Sequence, residues 1–113
     1  MNPHPQYDPC LSAIRAAVNR RADEIIAWTK RFVSFPSENR PPQGLEAAAQ
    51  KWIAAQCRAR GWDVDVFSPL AVRGIRKHPS WIDGRHYPRG RDNVVARWRG
   101  SARGRSILLS GHA

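Results

Sequence analysis

Residues 105–112, RSILLSGH, decide how the rest of the chain is read. Ile107, Leu108 and Leu109 are consecutive and apolar, so their side chains point to both faces of an extended segment. A strand of that kind is expected to be buried on both faces, as in the middle of a layered α/β sheet. It is followed by Ser110, Gly111 and His112. Ligands in open α/β sheets bind beyond the carboxyl ends of the strands. Glycine there lets backbone approach a ligand closely, and an imidazole can offer nitrogen to a metal.

Just upstream, NVVARW (93–98) reads as another strand, and the glycine-bearing RGSARG between them as a turn. The short spacing predicts an antiparallel hairpin of 93–98 with 105–111. WDVDVF (62–67) alternates Trp62, Val64 and Val66 with Asp63 and Asp65, a strand with one wetter face. Two helices precede it. Leu11, Ile14, Val18, Ala22, Ile25, Thr29 and Phe32 recur at steps of three and four, predicting one helix over 11–33 that ends before Pro36. Leu45, Ala48, Ala49, Trp52, Ile53 and Cys57 predict a second over 45–60, with Gly61 in place for a left-handed cap.

Between these elements, 34–44 reads as a turn-rich connection. Residues 68–92 read as a long irregular loop, pinned by Trp81 and Tyr87. Residues 1–10 read as a flexible arm and 11–113 as one α/β unit with an unfinished sheet, since a strand buried on both faces needs neighbours and covering layers.

The bulk values exclude several classes. Charged content of 25% argues against global disorder. No apolar run reaches the roughly 18 residues of a membrane span, so no membrane partner is expected. The N-terminus lacks the basic-then-apolar pattern of a secretory signal. Cys10 and Cys57 match no metal or redox spacing, and two reduced thiols in a cytoplasmic protein is the plain reading.

The net charge is +10, and the stretch from Ser68 to Arg105 carries +8 of it, with ten basic residues against Asp83 and Asp92. A basic stripe can be a phosphate footprint, a solvated face, or a surface meeting acidic parts of a larger protein. Nucleic acid is disfavoured because no recognition helix, zinc-finger spacing or RNA-binding aromatic signature accompanies the charge. Base stacking would need tryptophans on one exposed surface beside the arginines. Only Trp81 and Trp98 lie in the basic half, so the five tryptophans read as packing residues. Asp63 and Asp65 read as solvent-facing, the arginines around 97–105 as a solubilising edge, and Ser110 lacks a base partner for nucleophilic work.

The series VSFPSENRPPQG (33–44), GRHYPRGRDNVVARWRG (84–100) and GRSILLSGHA (104–113) resembles the opening of the acetylornithine deacetylase, succinyl-diaminopimelate desuccinylase and aminoacylase family of zinc metallohydrolases. The shared features are Pro36-Ser37, Pro41-Pro42-Gln43-Gly44, Asn93-Val94-Val95 and Ser110-Gly111-His112. The resemblance covers the chain from about residue 22 onward. It implies a three-layer α/β/α sandwich, of which these residues are the N-terminal part, with a lid or dimerisation domain inserted later and a homodimer for the complete protein.

His112 matches the family's first metal ligand. The resemblance implies two zinc ions, or other divalent metals in their place, serving hydrolysis of an amide in an N-acyl amino acid or small peptide. The family's next functional residue is an aspartate two places after that histidine, which would orient the imidazole. The bridging carboxylate, general base and remaining ligands of the family lie further on still. No catalytic or cofactor-binding residue beyond His112 can therefore be assigned, and the chain alone is expected to be inactive.

Three alternatives stand beside this reading. A site of His78, His86 and His112 has no acidic or cysteine partner spaced to help. A free-standing basic domain binding nucleic acid or another polyanion accounts for the charge. An interaction module could complete its sheet with a partner's strand.

Overall fold

Phe67 to Asn93 is too long a span for a tight hairpin, yet these two residues close the main sheet. In the computed structural model, which describes residues 9–40, 43–83, 91–101 and 104–112, the chain divides into two compact units, Met1–Ser34 and Phe35–Ala113.

The first unit holds α1 (Pro9–Arg20) and α2 (Ala22–Val33). Proline suits the first helical position, where its missing N–H costs nothing. Asp23 and Glu24 open α2 and Lys30 and Arg31 close it, the charge order that complements the helix dipole. The single helix expected over 11–33 is therefore two. At Arg21 the backbone sits at φ −108°, ψ 15°, and its N–H donates to Val18 O at 3.1 Å, three residues back rather than four. That tightened turn breaks the ladder. No proline or glycine marks it, and the apolar stripe runs through the break unaltered. Nothing in the side chains explains its position.

The second unit begins where a turn-rich connection was expected. Part of that stretch is a two-residue ladder, β1 (Asn39–Arg40) with β2 (Gln43–Gly44), antiparallel in the register Asn39↔Gly44 and Arg40↔Gln43. Leu45 N–H donates to Glu38 O at 3.2 Å and extends it. The backbone groups of a tight connection have to be satisfied somewhere, and pairing across the turn does this.

Helix α3 (Ala47–Ala59) follows, within ordinary end variation of the expected span. Ala49 and Ala54 are its buried residues, while Ala48 of the expected stripe is exposed. Small side chains on the packed face let a helix lie close to strands. Trp52 is half-buried against Phe35, with ring centroids 5.8 Å apart. The helix ends as the sequence predicts. Gly61 takes φ +72°, its N–H donates to Arg58 O at 2.9 Å, and Trp62 N–H reaches Cys57 O at 3.2 Å. This pair of bonds is the Schellman cap.

Helix α3 packs on β3 (Asp63–Phe67) and β4 (Asn93–Arg97). These strands pair antiparallel with Asp63 opposite Arg97, Val64 opposite Ala96 and Val66 opposite Val94. Opposed residues share a face, so Trp62, Val64 and Val66 meet Val94, Ala96 and Trp98 on one side. The other side carries Asp63, Asp65 and Phe67. Helices and an antiparallel sheet in one chain make it a mixed α/β protein.

The expected hairpin of 93–98 with 105–111 is not formed. Segment 93–97 takes its partner from 63–67, where alternation matches alternation, and residues 104–112 are not in a strand. The expected burial of Ile107–Leu109 on both faces is likewise corrected. Ile107, Leu108 and Leu109 are 84%, 89% and 86% exposed. Three adjacent apolar residues signal burial only when other elements supply the cover.

Of the expected loop 68–92, residues 68–83 and 91–92 are described. They contain two short 3₁₀ turns, Pro69–Ala71 and Ile75–Lys77. Ser68 Oγ accepts from Leu70 N–H at 3.3 Å to start the first, and Gly74, at φ +78°, precedes the second. Trp81 is half-buried and donates from Nε1 to Asp83 Oδ1 at 2.9 Å. Tyr87, the other expected pin, lies outside the described residues, as does most of the 1–10 arm.

Candidate functional site

His112, the one residue assigned to metal by resemblance, is exposed at the end of the irregular segment 104–112. It therefore does not stand at the carboxyl end of a paired strand, as the sequence reading required. Among the described residues, no group of three or more His, Cys, Asp or Glu side chains gathers where a metal ion could be held. A catalytic zinc site typically takes three protein ligands. His112 alone does not make up a dinuclear centre.

The alternative triad is not brought together either. His78 is exposed, and its Nδ1 accepts from Ser80 N–H at 3.1 Å, closing a local turn. His86 and His4 lie outside the described residues. Asp63 and Asp65 are exposed, as the alternation on β3 predicts, and Ser110 is exposed. Cys10 is exposed and Cys57 half-buried, both as thiols.

One enclosed polar arrangement among the described residues was not found from sequence. Arg91 Nη2 donates to Glu46 Oε1 at 3.1 Å, with side chains only 10% and 12% exposed. Glu46 stands at the start of α3, and Arg91 lies two residues before β4. Glu46 Oε2 is buried without a hydrogen-bond partner and rests against Gly44, where an added Cβ would collide with it. Leaving a carboxylate oxygen unmatched costs free energy, so the neighbouring guanidinium is what makes this burial tolerable. The signal was faint. Glu46 reads as an ordinary helix-start residue, and Arg91 as one of many in a basic stretch. By contrast, the exposed pair Arg40–Glu38 joins near neighbours in sequence and adds little to stability.

Trp62 and Trp98 form a second grouping. They lie next across from each other beyond the Asp63↔Arg97 end of the ladder, stacked at a centroid distance of 6.4 Å and an interplanar angle of 11°. Trp62 is half-buried, whereas Trp98 is 77% exposed, so the packing role expected of all five tryptophans does not describe Trp98.

No helix among the described residues is long and apolar enough to cross a membrane. No protein-family model, curated protein or solved structure matches the chain.

Proposed function

We propose that these residues are the N-terminal portion of a zinc-dependent amidohydrolase acting on N-acyl amino acids or small peptides, with His112 as its first metal ligand. The observation that carries this reading is the apolar triplet Ile107–Leu109, more than four-fifths exposed and leading directly to Ser110-Gly111-His112. A solvated tail has no use for three adjacent large apolar side chains. The middle strand of an α/β/α sandwich does. The order of helix, turn, helix, strand and Asn-Val-Val strand supports the same reading.

On this reading residues 105–111 become a strand when further elements cover them. The remaining ligands come from residues other than those described, and these 113 residues alone are inactive. The homodimer and the cytoplasmic location belong to the same proposal.

The test begins with the encoding DNA read past the codon for Ala113. An aspartate codon two places after His112 supports the proposal, while a stop or any other residue there removes it. The protein so encoded is then purified with zinc, and its metal content measured by mass spectrometry. His112→Ala is expected to lower that content. Unchanged zinc in the variant would show that His112 is no ligand.

A further inference from the structure

The fold brings Trp62, outside the basic stretch, against Trp98 within it. Going beyond the hydrolase reading, we propose that this tryptophan pair is a stacking platform for single-stranded nucleic acid.

The geometry supplies both halves of such a platform. Trp62 is the fixed half. It is half-buried, and its backbone N–H is tied to Cys57 O at 3.2 Å by the cap of α3. Trp98 lies nearly parallel to it, at 11°, and is 77% exposed. An exposed ring stiffened from below by a second ring offers a π face to an unstacked base at little entropic cost.

The charge around the pair complements a phosphate backbone. Arg58 and Arg60 precede Trp62, and Arg99 follows Trp98, all three exposed. Asp63 and Arg97 are opposite each other in the ladder and share the face that alternation sets away from the two tryptophans, so neither charge belongs to the platform. Arginine beside an aromatic base-stacking surface is the usual composition of sequence-tolerant single-strand binding. Duplex DNA keeps its bases stacked and offers nothing to an isolated ring, so a single strand is the occupant the site favours.

The 113-residue chain is titrated by fluorescence anisotropy, at low salt, with a labelled oligothymidylate, a duplex of equal length, and heparin as a polyanion without bases. Three variants are measured beside it, with circular dichroism to confirm folding. The oligothymidylate is expected to bind more tightly than the duplex, with affinity falling as salt rises. Trp98→Ala is expected to weaken it about tenfold, the scale of one lost base stack. Trp98→Phe retains most of the affinity, whereas Trp98→Leu, which keeps apolar bulk without a π face, loses it. Equal binding by Leu and Phe variants, equal binding of duplex or heparin, or no binding at all overturns the proposal.

Discussion

Arg91 and Glu46 lie 45 positions apart in sequence, and their side chains meet at 3.1 Å with almost no access to solvent. The contact ties the entrance of α3 to the approach of β4.

Removing one partner strands the other. Arg91→Ala is expected to destabilise the Phe35–Ala113 unit by about 3 kcal/mol, because a buried carboxylate loses its counter-charge. Adding Glu46→Ala recovers part of that loss, since neither charge is then left alone. Urea unfolding followed by tryptophan fluorescence measures both. A double variant no more stable than Arg91→Ala would show that the pair is not coupled.

Gly44 is constrained by the same carboxylate rather than by its own backbone. A Cβ there meets Glu46 Oε2, and Arg91 holds that carboxylate in place. Gly44→Ala is expected to cost about 1–2 kcal/mol through overpacking. In an Arg91→Ala background the cost shrinks, because the side chain of Glu46 is then free to swing away. Additive losses in the same unfolding experiment would contradict this coupling.

Gly61 presents the opposite case. Nothing lies within 4 Å of a Cβ built there, but φ is +72°. Gly61→Ala therefore pays only for left-handed backbone, about 1–2 kcal/mol. Gly61→Asn costs less, since asparagine tolerates that region. If the two variants melt at the same temperature, the cap is not set by backbone preference.

Ile107, Leu108 and Leu109 put a contiguous apolar stretch into water. The purified chain is expected to bind a hydrophobic fluorescent dye and to self-associate as concentration rises. Replacing all three with serine lowers dye binding severalfold and restores a single species in analytical ultracentrifugation. Dye binding that persists in the triple variant would place the sticky surface elsewhere.

What the sequence disclosed depended on how local the signal was. The cap at Gly61, the helix α3 and the strand β3 are each written in fewer than fifteen consecutive residues, and each is found in the structure, although Leu45 and Ala48 of the expected stripe and Val66 of the expected inner face are exposed. Strand pairing is not local. The short turn after Trp98 favoured 105–111 as the partner of 93–97, but Trp62, Val64 and Val66 matched Val94, Ala96 and Trp98 from further away. The break at Arg21 was invisible because its residues are ordinary helix formers. Glu46–Arg91 was invisible because charge counting does not say which charges are buried. At the candidate metal site, the resemblance nominated His112, and the described residues gather no group of three or more potential ligands.

The sheet is closed by Phe67 opposite Asn93, so the chain leaves it and returns to it at two neighbouring points. Closing such a span grows dearer only with the logarithm of its length, about 0.6 kcal/mol for each doubling. Lengthening that span is thus cheap for the fold wherever it spares the hydrogen-bonded turns between Ser68 and Trp81 and the Arg91 anchor.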